Sequence, residues 1–128
     1  MKVGFKIPRI QAKERPRVSM AGHLYTPRKT RSFEMEVALR YISEVNYYFD
    51  DAVEVEMRFY FHKPKTVKRK LPTVVPDLDN CIKSVLDGLN GCAYKDDSQV
   101  VTIIATKRYT EGEDRIEVDI QDYEEWEN

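Results

Sequence analysis

Apolar and polar residues alternate at the start of the chain, where Val3, Phe5 and Ile7 fall between Lys2, Gly4 and Lys6 and Pro8 ends the run. A period of two predicts a half-buried strand. The pattern lapses from Gln11 to Arg31, a polar, Pro-punctuated stretch with Gly22 in its middle that reads as a long functional loop. From Ser32, with Glu34 and Glu36 in the first turn, Val37, Ala38, Tyr41, Ile42, Val45, Tyr48 and Phe49 recur at helical spacing and predict a helix ending near residue 49. Val53, Val55, Met57, Phe59 and Phe61 then alternate with Glu54, Glu56, Arg58 and Tyr60, the clearest strand pattern in the chain. Leu78, Ile82, Val85, Leu86 and Leu89 share one face of a second helix, Asp79, Lys83, Asp87 and Asn90 run down another, and Asn90-Gly91 stops it.

Gln99 to Lys107 holds a nearly continuous apolar run, Val100, Val101, Ile103, Ile104 and Ala105, which suits a strand buried on both faces at the centre of a sheet. Ile116, Val118 and Ile120 alternate with Arg115, Glu117 and Asp119, and the Glu111-Gly112 turn predicts a hairpin with the preceding strand. The order β, α, β, α, β, β predicts one α/β domain over 1–128, a mixed β-sheet with two main helices packed on it. The end of the chain, DYEEWEN, reads as peripheral.

With 128 residues, 41% apolar and 34% charged, and only 5 Gly and 6 Pro, the chain has room for one core and lies outside the disordered, collagen-like and disulfide-scaffold classes. Cys81 and Cys92 form no CxxC pair, and the N-terminus carries Lys or Arg where a signal peptide needs an apolar core. A reduced, cytoplasmic protein with no membrane association is the expectation.

Charge is segregated behind a net value of -1. Residues 1–32 carry nine basic side chains against Glu14 alone, residues 62–70 (HKPKTVKRK) five lysines and arginines and no acid, and residues 111–128 nine acids against Arg115. Two basic loops, 9–31 and 62–73, and an acidic tail, 121–128, follow from this. Uncompensated cationic segments point to a phosphate-rich partner, with Lys13, Arg15, Arg17, Arg28, Lys29, Arg31, Lys68, Arg69 and Lys70 as the candidate DNA-binding set; a solvated face is the plain alternative.

The chemistry is expected in residues 76–100. Asp77 and Asp79 stand two apart at the mouth of the second helix, and a turn at Asn90-Gly91 followed by six extended residues could bring Asp96 and Asp97 back beside them. Four carboxylates at one spot need a cation, and oxygen donors with no His or Cys favour Mg²⁺, with Mn²⁺ as substitute, over Zn²⁺. Such an ion flanked by basic loops suits phosphodiester hydrolysis, and Lys83 would place an ammonium near the charge developing on the phosphate. The plainer readings make Asp79 a helix cap, Lys83 an i, i+4 partner and Asp96-Asp97-Ser98 a turn.

The string from Pro76 to Val100 resembles the RusA family of Holliday junction resolvases, whose pattern is Asp-x-Asp-Asn, a Lys four residues after the second Asp, Asp-(Ala or Gly)-Leu-Asn, and a later Asp-Asp-x-Gln-Val. Asp77, Asp79, Asn80, Lys83, Asp87, Leu89, Asn90, Asp96, Asp97, Gln99 and Val100 stand in those places. Arg15-Pro16-Arg17, Tyr25-Thr26-Pro27 and Lys29-Thr30 resemble the basic, aromatic-containing front of one family branch. The resemblance implies a RusA-like fold and a homodimeric, Mg²⁺-dependent endodeoxyribonuclease that resolves four-way DNA junctions by symmetric paired nicking in recombination and repair. It implies metal-binding carboxylates at Asp77, Asp79 and Asp97, with Asp96 or Asp97 as the third ligand, and an essential cation at Lys83. Cys81, Ser84 and Gly88 form a small-residue face on the second helix that admits close packing, and Tyr25, His23 or Tyr94 are candidates to stack at an opened junction. Two further classes are a non-catalytic, structure-selective nucleic-acid-binding module and a Mg²⁺-dependent nucleotide hydrolase; the basic front argues against the second.

Overall fold

The computed structural model describes residues 1–125. In chain order it forms β1 (Lys2–Ile7), β2 (Arg17–Val18), β3 (Leu24–Tyr25), α1 (Arg28–Glu44), β4 (Val53–His62), α2 (Leu78–Leu89), a short 3₁₀ turn (Asp97–Gln99), β5 (Val100–Thr110) and β6 (Arg115–Asp122). Four strands make one mixed sheet in the order β1-β6-β4-β5, with β1/β6 and β6/β4 antiparallel and β4/β5 parallel. β4, α2 and β5 therefore form a βαβ crossover. The expected α/β class, with two helices on a mixed sheet, is what the chain adopts. Among the described residues no helix is long and apolar enough to cross a membrane.

Period-two patterning explains why only one face of the sheet is covered. Val53, Val55, Met57 and Phe59 of β4 and Ile116, Val118 and Ile120 of β6 are buried beneath the helices. On the opposite, open face Arg58 is held by Glu56, Glu117 and Asp119 at 3.3, 3.3 and 2.9 Å. The small-residue face of α2 does admit a neighbour, and that neighbour is α1: Cys81, Ser84 and Gly88 are buried, and a Cβ at Gly88 would lie 2.7 Å from Cβ of Val37.

Three expectations about the helices and the sheet, and one about the tail, need correction. First, α1 begins at Arg28 directly after Pro27, not at Ser32, so Arg28, Lys29 and Arg31 sit in its first turn and not in a loop. It also ends at Glu44: Asn46 takes φ 55°, and the N–H groups of Val45 and Asn46 both donate to the Tyr41 carbonyl. Phe49 reaches the core from the following loop, where its N–H donates to the Ala93 carbonyl at 2.7 Å. Second, β5 and β6 form no hairpin; β6 inserts between β1 and β4, where both of its edges are hydrogen-bonded. Third, β5 is not central but lies at the edge, and Val101, Ile103 and Ile104 are 54%, 42% and 48% exposed. The acidic tail starts later than residue 121 because Gln121 and Asp122 belong to β6, and its residues 126–128 lie outside the described part of the chain.

Candidate active site

α2 opens at Asp77, whose extended backbone (φ -69°, ψ 141°) occupies the cap position while its carboxylate makes no capping hydrogen bond. Asp79 follows in the first turn, with Oδ1 accepting only from the adjacent Asn80 N–H at 2.9 Å. Both side chains are exposed, so neither acid has the ordinary capping task that would explain it away. Two carboxylates at a helix N-terminus gain from the helix dipole, and as all-oxygen donors they fit a hard divalent ion.

The segment entering this corner is pinned by a residue that sequence reasoning missed. Lys107, near the end of β5, donates through Nζ to the carbonyls of Val74 at 2.6 Å and Pro76 at 2.8 Å, and lies 5.6 Å from the centre of the Phe61 ring. One ammonium thus fixes the backbone immediately before Asp77. A single Lys closing an apolar run carries no motif, and only the β4/β5 pairing, which aligns Lys107 with Phe59, shows where it goes. Leu71, Pro72, Val74, Val75, Asp77 and Lys107 line a groove of about 570 Å³ here. The Cys81 thiol lies below and is pushed up to about 11 chiefly by burial, with Lys107 opposing and Asp77 and Asp79 adding to the rise.

Lys83 is exposed one turn beyond Asp79 and, among the described residues, makes no ion pair. Its i, i+4 partner Asp87 is engaged elsewhere, by Lys13 at 3.0 Å, and Lys13 also reaches Glu34 at 3.1 Å. Burial pulls the Lys13 ammonium down, but hydrogen bonds to Asp87 and Glu34 outweigh it and raise its pKa. Lys13 therefore ties the N-terminal segment to both helices. Ser84 continues that seam by donating to the Gln11 carbonyl at 2.5 Å.

The second acidic pair lies elsewhere. After α2 the chain does not run back extended: Gly91, at φ 84°, turns it so that its N–H donates to the Tyr94 carbonyl at 2.7 Å. The return is made instead by β5. Asp96 and Asp97 thus sit at the start of that strand, near the C-terminal end of α2, whereas Lys107 touches Pro76 at its other end. The seven residue-to-residue steps from Val100 to Lys107 span about 23 Å, and the twelve residues of α2 about 18 Å. Accordingly, among the described residues no three His, Cys, Asp or Glu side chains come together as a metal site. The expectation that one chain gathers Asp77, Asp79, Asp96 and Asp97 is overturned: the return path is the full crossover, not six residues.

The structure also separates Asp96 from Asp97. Asp96 accepts from the Ser98 N–H at 3.1 Å, and the Gln99 side chain accepts from the Asp96 N–H, which completes a capping box; hydrogen bonds from the Ser98 hydroxyl and then its N–H hold the Asp96 carboxyl below its usual pKa. Gln99 Nε2 further donates to the carbonyls of Phe49 and Asp51 at 3.0 Å each, so the whole turn is fixed. Asp97 is half-buried, and its carboxylate accepts no hydrogen bond among the described residues. Tyr94 is fully buried with its hydroxyl donating to the Leu86 carbonyl at 2.9 Å, which removes it from the stacking candidates.

Arg15, Arg17, Arg28, Lys29, Arg31, Lys68, Arg69 and Lys70 are all exposed. Arg69 alone of the second group is tethered, donating to the Tyr109 hydroxyl at 2.8 Å above its ring. Arg28, Lys29 and Arg31 are placed against their own helix dipole, an arrangement that an anion would relieve.

Comparison with known proteins supplies the remaining identification. The family model described as Endodeoxyribonuclease RusA matches residues 8–121. A Bacillus subtilis (strain 168) protein described as "Uncharacterized protein YqaN" is 36% identical over 129 aligned residues, covering 87% of this chain and 89% of that protein. The matched span takes in the basic stretch from Arg9 to Arg31, both helices, the acidic motif and the main sheet apart from β1 and Asp122, and the chain belongs to the RusA family of endodeoxyribonucleases.

Proposed function

We propose that this chain is a divalent-metal-dependent endodeoxyribonuclease that resolves Holliday junctions by paired nicking, and that it does so as a homodimer whose two metal sites are each shared between copies. The observation supporting this most directly is the placing of the acids. Asp77 and Asp79 lie at one end of the βαβ crossover and Asp97 at the other, with β5 between them as an uncovered apolar edge. An edge strand with exposed Val101, Ile103 and Ile104 is a template for pairing. If β5 pairs antiparallel with β5 of a second copy, about 4.8 Å away, the start of one strand lies beside the end of the other. Asp97 of each copy then approaches Asp77 and Asp79 of its partner, twice about one two-fold axis.

Asp77, Asp79 and a second copy's Asp97 are the residues that would hold Mg²⁺ or Mn²⁺, their all-oxygen chemistry fitting either ion. Such an ion would polarise the phosphoryl group and lower the pKa of a water, so that the hydroxide formed attacks phosphorus, the P–O ester bond breaks and the sugar oxygen leaves. Lys83, exposed one turn along α2 and without an ion pair among the described residues, can lie against the phosphate as negative charge grows on it. Lys107 holds the approach to Asp77 in place. Arg15, Arg17, Arg28, Lys29, Arg31, Lys68, Arg69 and Lys70 are the proposed phosphate contacts, without Lys13. Two identical sites on a two-fold dimer match the symmetry of a four-way junction.

The test is cleavage of a synthetic four-way junction, a linear duplex and a flap, with and without Mg²⁺, by Asp77→Asn, Asp97→Asn and an equimolar mixture of the two. Each variant alone should bind the junction without cutting. The mixture should regain nicking of one strand at about a quarter of the wild-type single-nick rate, since half the dimers are mixed and each of those keeps one intact site. No recovery in the mixture would reject the shared site, cutting that survives both single changes would remove Asp77 and Asp97 from the chemistry, and a wild type that binds the junction in Mg²⁺ without cutting it would be a non-catalytic binding module.

A further inference from the structure

β2 and β3 form a second, two-stranded sheet apart from the main one. Two residue pairs are short for a hairpin standing in water, yet its tip is well fixed: Ser19 N–H donates to the His23 carbonyl at 2.8 Å, Gly22 N–H to the Ser19 carbonyl at 2.9 Å, and His23 N–H to Ser19 Oγ at 3.1 Å. Gly22 supplies the φ of 83° that the turn requires. Register divides the hairpin's side chains. Arg17 faces Tyr25 and Val18 faces Leu24, and since successive residues of a strand point to opposite faces, one face is a cation with an aromatic ring and the other is apolar.

That apolar face covers nothing. Val18 is 64% exposed, Leu24 74%, and Met20 at the tip fully so. A cross-strand pair of this kind stabilises far less than the same side chains would if buried. The charged face points to an occupant. Between residues 15 and 31 there are five lysines and arginines and no acid, and Arg17, Tyr25, Pro27, Arg28 and Lys29 line, with Glu14, a groove of about 300 Å³ at the hairpin's foot. A rigid apolar tip beside a cationic groove is built to grip sugar-phosphate with one side and enter a base stack with the other.

We infer that the β2–β3 hairpin is a wedge that inserts Met20, with Val18 and Leu24 behind it, between base steps opened at the branch of a four-way junction, while Arg17, Arg28 and Lys29 hold the adjoining phosphates. This rests on the nuclease reading and adds to it the element that tells a branch from a plain duplex. A linear duplex offers the same phosphates but must first be unstacked, whereas a branch is already open.

The test uses the full-length protein in EDTA, so that nothing is cut, with 2-aminopurine placed either at the branch of a four-way junction or midway along one arm. Wild type should raise the fluorescence of the branch probe severalfold and leave the arm probe unchanged. Met20→Ser with Leu24→Ser alters two exposed side chains and should melt as wild type does. It should lose the branch signal and bind the junction about tenfold more weakly, with unchanged affinity for linear duplex. Met20→Phe should keep the signal. An unaltered signal and junction affinity in the double variant would overturn the wedge. So would a change from dimer to monomer on sedimentation, which would make the hairpin an arm between copies. Failure of wild type to prefer junction over duplex is read before any variant is compared and would reject the nuclease reading itself.

Discussion

The two edges of the main sheet are built on opposite principles. β1, at one edge, exposes Lys2 and Lys6, carries Phe5 and Ile7 inward, and is followed at once by Pro8. Charged side chains and a proline on an outer strand prevent another strand from adding to it. β5, at the other edge, presents Val101, Ile103 and Ile104 to solvent over eleven residues and meets no charge before Lys107. One edge is guarded and the other left open, in a sheet of four strands that could have guarded both. The open edge is also the one whose two ends carry the acids, and the proposed dimer seats its second copy there.

The strongest way to break this comparison is to make β5 resemble β1. Ile103→Lys is tolerable in a lone chain because the position is 42% exposed, but it sets like charges across a two-fold seam. Dimer should give way to monomer on sedimentation, and junction cleavage should fall at least about a hundredfold, since like-charge juxtaposition costs several kcal/mol. The reciprocal change, Lys2→Val with Lys6→Val, should add self-association without raising cleavage. Unchanged assembly and cutting by Ile103→Lys would remove β5 from the interface.

A smaller effect is expected at the end of the same strand. Lys107→Met leaves the carbonyls of Val74 and Pro76 without their donor, and the Mg²⁺ concentration for half-maximal cleavage should rise about tenfold, as is usual when a group supporting a metal ligand is lost. A lowered melting temperature with an unmoved Mg²⁺ dependence would make Lys107 structural only.

On the closed side of the fold, Gly88→Ala forces a methyl to within 2.7 Å of Val37 Cβ, and the nearby Glu34 carbonyl at 3.1 Å leaves little room to yield. Denaturant unfolding should show a loss of about 1–3 kcal/mol with no change in oligomeric state, which separates packing between helices from packing between copies.

The smallest effect concerns pH. The Glu117 pKa is lowered, chiefly by the hydrogen bond from Arg115 and then by Arg58, with burial opposing. A carboxyl whose folded pKa is depressed contributes stability above its unfolded value, near 4.5, and loses it as pH falls through the folded one. The difference in melting temperature between wild type and Glu117→Gln should therefore be present at about pH 6 and shrink toward about pH 3. A constant difference would mean that the Arg58 and Arg115 contacts do not depend on the Glu117 charge.

Local periodicity was readable because it needs only neighbouring residues. β4 and α2 announce themselves by alternation and by one apolar face, and both lie close to where the pattern puts them. Strand pairing was not, since β6 joins β1 and β4 across most of the chain's length and no short stretch encodes that choice. The apolar run of β5 was taken for burial on both faces within one sheet, whereas a lone chain exposes it. The acids of the motif were found by type and spacing, but their separation depends on the crossover as a whole. Asp96 and Asp97 look alike in sequence, and only the capping box involving Ser98 and Gln99 distinguishes them.

The opposite placement of Asp77 and Asp97 on one crossover has a consequence for the living cell. Under the shared-site arrangement a solitary copy has no complete blade, and when copies are scarce the cutting rate climbs with the square of their number. Dilution itself then acts as a safety catch, keeping stray chains harmless to intact chromosomes until enough have accumulated to meet in pairs.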